Sequence, residues 1–129
     1  MPLTIDDVTA IQQLYARYCH TLDDGDGEAF SACFTPEGSL GGAGGSVAGR
    51  EKLVRFATKI AASGRNLRHL NSGIWIEGDG DEAVGRAYLL AYSGSGPTPE
   101  FLSSGRYRDS LRRVDGAWLF VQRDFTPDA

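Results

Sequence analysis

The sequence predicts an α+β domain in which three N-terminal helices cover one face of a mixed or antiparallel sheet. Apolar residues recur at helical spacing in three segments before residue 64, and from residue 68 onward the hydrophobic period changes to two, the period of strands. The chain has 129 residues, enough for one domain with a real core and too few for two ordinary ones. We therefore expect residues 1–129 to form a single domain, whose twisted sheet buries one face against the helices.

The first helix is the most clearly marked element. Thr4 and Asp7 have the spacing of a capping box, with Asp in place of the usual Glu. The apolar stripe that follows at helical spacing consists of Val8, Ile11, Leu14, Tyr15, Tyr18, Cys19 and Leu22. We expect a helix over residues 5–23, ended by the segment DDGDG, with Asp23 on the flank of the stripe and His20 facing water.

Two further helices and a glycine-rich segment are expected next. Residues 28–34 (EAFSACF) form a short second helix that stops at Thr35-Pro36, and residues 50–63 form a third that Gly64 ends. Between them, residues 38–49 hold six glycines in twelve positions. That composition is too flexible for a central strand, so we expect a mobile loop, with at most a short edge strand, that orders over any ligand bound beside it.

Four strands complete the chain as an antiparallel meander. The alternating segments HLNSGIWIE, EAVGRAYLLAYS, EFLSSGRYRDSLRRV and AWLFVQRDF are joined by turn-forming stretches. On the first of them, period-two alternation places Asn71 and Trp75 on the same face as His69. On the third, Tyr107 and Asp109 face away from a row of arginines.

Composition narrows the possible functions. Hydrophobic residues make up 41% and charged residues 23%, which is typical of a globular domain. The net charge of −4 and a pI of about 5.1 are not those of a nucleic-acid binder. No run of 18 apolar residues and no leader pattern is present, so we expect a cytoplasmic protein without a membrane partner. Cys19 and Cys33 lack a CxxC pattern and are expected to be buried, reduced thiols.

Three segments that cover nearly the whole chain outside the glycine-rich stretch carry a resemblance to a known family: IQQLYARYCHTLDDGDGEAFSACFTPEG, RHLNSGIWIEGDGDEAVGRAYLLAY and GRYRDSLRRVDGAWLFVQRDF. They resemble the SnoaL-like branch of the nuclear-transport-factor-2-like superfamily. The resemblance implies a cone-shaped, strongly curved sheet wrapped by three helices around a deep apolar pocket. Members include polyketide cyclases, scytalone dehydratase, hexachlorocyclohexane dehydrochlorinase and ketosteroid isomerase, besides non-enzymatic binders, so the fold alone does not assign a function.

The resemblance implies a catalytic pair. Asp23 and His69 stand where dehydratases and dehydrochlorinases of the family pair an Asp at the end of the first helix with a His at the start of the strand after the third. An elimination needs a base with a pKa near neutrality, and imidazole is such a base when a carboxylate fixes its tautomer. A position matching Tyr18 donates a hydrogen bond to an oxyanion in ketosteroid isomerase. The carboxylate base of those isomerases would fall in the glycine-rich segment, which has none, so their mechanism is not favoured.

Other residues are candidates for binding a substrate. Trp75 offers a flat apolar wall, and Arg86 could anchor a ligand carboxylate. The polar candidates are Tyr15, Tyr18, Asn71, Tyr107 and Asp109. Asp124 is similar in placement to the acid–base Asp of the polyketide cyclases. Limonene epoxide hydrolases, which also belong to the superfamily, need an Arg-x-Asp on one strand face. The only such spacing here, residues 113–115, lies in a turn, so epoxide hydrolysis is not favoured.

The predicted function is cofactor-independent acid–base catalysis, by a dehydratase or isomerase acting on a hydrophobic cyclic small molecule. Two histidines on different elements give no metal-ligand spacing, and no GxGxxG follows a strand, so we expect neither metal nor nucleotide cofactor. The alternatives are a polyketide cyclase, a non-catalytic binding or accessory domain of the same fold, and the small subunit of a dioxygenase. We also expect a homodimer, because EAVGRAYLLAY has apolar residues on both faces.

Overall fold

The computed structural model describes residues 1–42 and 44–129 and contains three helices and six strands. The helices are α1 (Ile5–Asp24), α2 (Gly27–Ser31) and α3 (Arg50–Ala62). The strands are β1 (Phe34–Gly42), β2 (Gly45–Ala48), β3 (Leu67–Asp79), β4 (Glu82–Ser93), β5 (Glu100–Val114) and β6 (Ala117–Pro127).

The strands form one curved, mixed sheet in the order β2-β1-β6-β5-β4-β3. β3 to β6 are an antiparallel meander, as predicted, and β1 joins β6 in parallel. The helices cover one face, called the inner face from here on, which carries Ala87, Tyr107 and Phe120. The opposite, outer face carries Trp75, Tyr88 and other exposed residues. The predicted fold class is therefore confirmed.

Helix α1 begins and ends where the sequence indicates. Thr4 Oγ1 accepts a hydrogen bond from the Asp7 amide (3.1 Å), and Asp7 Oδ2 accepts one from the Thr4 amide (3.0 Å), which completes the predicted capping box. At the other end Gly25 adopts the left-handed conformation (φ 71°) and its amide donates to the carbonyl of Leu22 (3.1 Å). The helix therefore ends at Asp24, and Asp23 lies in its last turn.

The expectation of a loop over residues 38–49 is wrong, and so is the extent of the second helix. α2 ends at Ser31, and the segment after it enters the sheet as β1, between β2 and β6. Two of the glycines here let neighbouring side chains pack directly against the backbone. A Cβ on Gly41 would lie 2.8 Å from Asp124 Oδ1, and one on Gly38 would lie 2.8 Å from Phe34 Cβ. Ala43, within the predicted loop, lies outside the described residues. Mobility of this hairpin over a ligand stays a prediction.

The core lies between α1 and the inner face. Its fully buried side chains include Ile11, Leu14, Phe30, Leu53 and Phe120. Cys19 and Cys33 are buried free thiols, as predicted, and burial raises the pKa of Cys19 to about 11. Among the described residues, no helix is long and apolar enough to cross a bilayer.

Gly25→Ala is expected to destabilise the protein more than Gly64→Ala, although both glycines have a positive φ at a helix end (71° and 74°). The left-handed backbone costs an alanine roughly 1–2 kcal/mol at either site. At Gly25 the new Cβ would also lie 2.5 Å from Ala61 Cβ, whereas at Gly64 nothing lies within 4 Å. Urea denaturation of the two variants measures the difference, and equal losses would contradict the packing argument.

Candidate active site

His69 and Asp23 form a close pair at the inner face. His69 Nδ1 lies 2.6 Å from Asp23 Oδ1, and the two side chains are only 12% and 10% exposed. The backbone amide of His69 also donates to both Asp23 oxygens, at 3.2 and 3.1 Å. The carboxylate thus holds both the ring and the main chain of His69, and the second ring nitrogen, Nε2, is not engaged by Asp23.

The fold explains why these two residues meet. Asp23 is in the last turn of α1, and β3 is an edge strand of the sheet, with β4 on one side only. An edge strand leaves alternate amides without a partner in the sheet. The Asp23 carboxylate accepts one of these amide protons, and thereby anchors the start of β3 to the end of α1.

His69 borders a cavity of about 450 Å³ between the helices and the sheet. The lining is mostly apolar side chains and the glycines of the β1–β2 hairpin. It consists of Tyr18, Leu22, Leu40, Gly41, Gly42, Gly44, Gly45, Ser46, Val47, Phe56, His69, Leu89, Tyr107, Phe125 and Pro127. This size is ordinary for a small-molecule site. In the described lining, the ionisable side chains are His69 and two tyrosines.

A buried ion pair lies behind one wall of the cavity. Arg123 is fully buried, and its Nε and Nη2 donate to the Asp109 oxygens at 2.8 and 3.0 Å. Tyr15 donates its hydroxyl to the same carboxylate (2.5 Å), and Arg123 Nη1 donates to Asn71 Oδ1 (3.0 Å). Burial raises the pKa of Asp109, and the adjacent guanidinium opposes this shift. Tyr15, Asn71 and Asp109 therefore belong to this network and are not in the cavity lining.

Arg123, which lies directly behind the cavity wall, was not predicted from the sequence. One extra residue in β6, between the partners of Ser110 and Leu111, shifts the register and turns Arg123 inward. A signal was present nonetheless. The sequence made Asp109 a candidate pocket residue, and a buried carboxylate requires a nearby cation. Asn71 Nδ2, next to Arg123, is buried without a hydrogen-bond partner within residues 1–42 and 44–129.

The prediction that Trp75 enters the cavity is wrong. Ser72 pairs with Tyr88 and Trp75 with Arg86, so β3 has one more residue than β4 in this interval. The extra residue forms a bulge at Gly73 (φ 60°). After the bulge, each side chain points to the face opposite to the one that simple alternation predicts. Trp75 consequently lies on the outer face and is 58% exposed. A glycine inside a strand pattern is the signal for such a bulge.

Arg86 and Asp124 are also placed away from the cavity, contrary to their prediction as substrate-binding residues. The Arg86 guanidinium carbon lies 4.9 Å from the centre of the Trp75 ring, on the outer face. Asp124 is exposed there and accepts hydrogen bonds from Gln122 (3.1 and 3.0 Å). A cyclase mechanism that relies on Asp124 in the pocket is therefore not supported. Tyr18 and Tyr107, by contrast, do line the cavity.

The fold and site together define a small α+β protein whose sheet and helices enclose a pocket with a histidine–carboxylate pair. The SnoaL-like domain family matches residues 3–124, and the chain belongs to this family. No three His, Cys, Asp or Glu side chains of the described chain cluster in a way that could hold a metal ion.

Solved structures agree with the family. A variant of Rv3472, a function unknown protein from Mycobacterium tuberculosis, has 35% sequence identity and a TM-score of 0.88, over 94% of this chain and 71% of that one. An NTF2-like protein with a cystatin-like fold from Novosphingobium aromaticivorans has 23% identity and a TM-score of 0.90, over 96% and 83% of the two chains. A putative scytalone dehydratase from the same organism has 23% identity and a TM-score of 0.79, over 97% and 86%. The last two similarities show the fold alone. None of the curated proteins matches the chain at a significant level.

Proposed function

We propose that the protein is a cofactor-independent acid–base enzyme, a dehydratase or isomerase, that acts on an uncharged, hydrophobic, cyclic small molecule. The observation that carries this proposal is the 2.6 Å contact between His69 Nδ1 and Asp23 at the edge of an apolar cavity. The bonds from the His69 amide already anchor β3 to α1, and a pocket that only binds ligands has no further need for a carboxylate on the imidazole. A general base does, because the carboxylate fixes its tautomer and stabilises the imidazolium.

The cavity lining supports an uncharged substrate. A ligand carboxylate or phosphate needs a cation near it, and the described lining residues include no Lys or Arg. Arg123 is close by, but Asp109 and Asn71 accept hydrogen bonds from its Nε, Nη1 and Nη2. The glycines of the hairpin carry no side chain into the cavity, which leaves room for a ring-shaped molecule.

In the proposed reaction His69 Nε2 takes a proton from a substrate carbon, and Asp23 stabilises the imidazolium that forms. The same imidazolium then returns the proton, either to a leaving oxygen in a dehydration or to another carbon in an isomerisation. The lining is mostly apolar, so the attraction between Asp23 and the imidazolium is stronger there than in water.

Hydrogen–deuterium exchange tests the proton transfer without knowledge of the natural substrate. The probe is 2-tetralone, an uncharged bicyclic ketone with acidic C–H groups beside its carbonyl. Binding is established first by ligand-detected NMR, and the loss of the α-proton signals is then followed in D2O. We expect the protein to accelerate exchange. A bound ketone that exchanges no faster than free ketone would contradict the proposal and favour a binding or accessory domain.

We also propose that two copies associate through the outer face. Large hydrophobic residues that are 44–58% exposed concentrate there: Leu70, Trp75, Val84, Tyr88 and Leu90. The same face has a cleft lined by Arg86, Arg106 and Arg108 together with Asp124. A twofold-related copy can set its own Asp124 against these arginines, since an isologous interface presents the same patch twice.

Tyr88→Asp is expected to give a monomer, whereas the wild-type protein is expected to be a dimer at tens of micromolar. The substitution places a charge in the centre of the apolar patch, where desolvation on association is costly. Ile5→Asp is the matched control, because Ile5 is also exposed (85%) but lies at the start of α1. Light scattering measures the mass of each. A monomeric wild-type protein would contradict the proposal.

A further inference from the structure

Three arginines lie close together on the outer face of the sheet. Arg86 of β4 is directly opposite Arg108 of β5 in the register, and Arg106 is two residues before Arg108 on the same face. All three line the outer-face cleft, which has a volume of about 510 Å³. Like charges in directly opposite positions destabilise a pair of strands. A negative charge bound in the cleft would remove this repulsion.

The described residues of the chain do not provide that charge. The arginines that form ion pairs within residues 1–42 and 44–129 are Arg50, Arg55, Arg113 and Arg123. The two carboxylates of the cleft are bonded to neutral donors instead. Asp124, although opposite Arg108 in the register, accepts hydrogen bonds from Gln122 Nε2 (3.1 and 3.0 Å), and Asp128 accepts one from Ser104 (2.7 Å). The guanidinium groups of the cleft therefore keep their N–H donors available to an anion from outside the chain.

Two aromatic side chains line the same cleft, and neighbouring groups hold them in place. The Arg86 guanidinium carbon lies 4.9 Å from the centre of the Trp75 ring, which is a stacking contact. The Tyr88 ring lies against the backbone of the bulge, because a Cβ on Gly73 would be 2.7 Å from Tyr88 Cδ2. Both rings are nonetheless 58% exposed. The cleft thus presents ordered aromatic surfaces next to its cations.

We propose that this cleft binds an aryl phosphate monoester, with its phosphate on the three arginines and its ring against Trp75 and Tyr88. A phosphate monoester has three terminal oxygens, one for each guanidinium, whereas a carboxylate has two. Its charge at pH 7 is about −1.5 to −2, and the cleft has an excess of positive charge, with three arginines against two aspartates. The site is on the opposite face of the sheet from His69 and does not depend on the proposed acid–base reaction.

The cleft also bears on the proposed association of two copies. A twofold interface over the outer face brings together two clefts with the same excess of positive charge. A phosphate bound in each cleft offsets the repulsion between them. Binding itself does not require the dimer, because every copy holds all three arginines and both aromatic rings.

The probe for this inference is 1-naphthyl phosphate, titrated into the wild-type protein in a calorimeter. We expect it to bind, and we expect Arg108→Gln to weaken binding by roughly 10- to 100-fold, the contribution of a hydrogen bond to a charged group. The variant should fold, because Arg108 is exposed and its loss removes the repulsion with Arg86. Arg112→Gln is the matched control: Arg112 is exposed on the same face of β5, but it is opposite Glu82 and outside the cleft. Its affinity should equal that of the wild type.

Further measurements separate the possible outcomes. Inorganic phosphate, which lacks the ring, should bind roughly tenfold more weakly than 1-naphthyl phosphate, and equal affinities would overturn the assignment of an aryl ester. 2-Tetralone should not displace the probe, since displacement would place the phosphate in the His69 cavity. Binding that depends on Arg108, without any exchange of 2-tetralone, would leave this inference in place and count against His69 as the base. The same affinity in Arg108→Gln as in Arg112→Gln, or no binding to the wild-type protein, would overturn the inference.

Discussion

His69→Ala is expected to lower the rate of α-proton exchange in bound 2-tetralone by about 10²- to 10⁴-fold, the usual contribution of a general base. Asp23→Asn should lower it as well, because an amide cannot stabilise the imidazolium that Asp23 faces at 2.6 Å. Both variants should bind the ketone with nearly wild-type affinity, since the lost interactions are made in the transition state rather than in the ground state.

The other histidine provides the matched control. His20 is on α1, as is Asp23, but it is exposed. His20→Ala should exchange 2-tetralone at the wild-type rate. A His69→Ala variant that folds, binds the ketone and keeps the wild-type rate would contradict the assignment of His69 as the base.

Asp109→Asn is expected to destabilise the protein by about 3–5 kcal/mol, because it leaves the guanidinium of Arg123 buried without a counter-charge. Both side chains of this pair are 0% exposed, so water cannot compensate. A typical domain has a free energy of unfolding of about 5–15 kcal/mol, and the loss is therefore a large part of it. Urea denaturation measures the difference.

A surface ion pair is the control for this second prediction. Arg50 Nη2 lies 3.1 Å from Glu28 Oε2, and the two side chains are 59% and 79% exposed. Glu28→Gln should lower the free energy of unfolding by less than about 1 kcal/mol. The double variant Asp109→Leu/Arg123→Met should regain part of the stability lost in Asp109→Asn, since no unpaired charge remains. A loss for Asp109→Asn no larger than that for Glu28→Gln would contradict the account.

The parts of the fold that follow from local periodicity could be predicted from the sequence. α1 has a cap, an apolar stripe and a terminating glycine, and the four strands of the meander have clear alternation between turns. β1 could not be predicted in this way. Its glycines indicated flexibility, whereas the structure uses Gly38 and Gly41 where a neighbouring side chain leaves no room for a Cβ. The Gly41 contact is with Asp124 of β6, some eighty residues further along the chain, which local periodicity cannot indicate.

Site residues could be predicted where their position along a helix or strand decides which way the side chain points. They could not be predicted after a β-bulge, which turns the following side chains to the other face of the sheet. Asp23 and His69 were paired through a family resemblance and lie together in the structure. Trp75 and Arg123 both lie beyond bulges, at which period-two alternation shifts by one residue. The same rule correctly placed Tyr107 on the opposite face from the arginine row, because β5 and its neighbours remain in register around it.

The tautomer of His69 tests the central claim most directly. Nitrogen-15 NMR of the uniformly labelled protein reports the protonation of each imidazole nitrogen, and the chain has only two histidines, which His20→Ala distinguishes. The account predicts that neutral His69 carries its proton on Nδ1, donated to Asp23, and that Nε2 is unprotonated and free to accept a proton from a substrate. A neutral His69 protonated on Nε2 would contradict it.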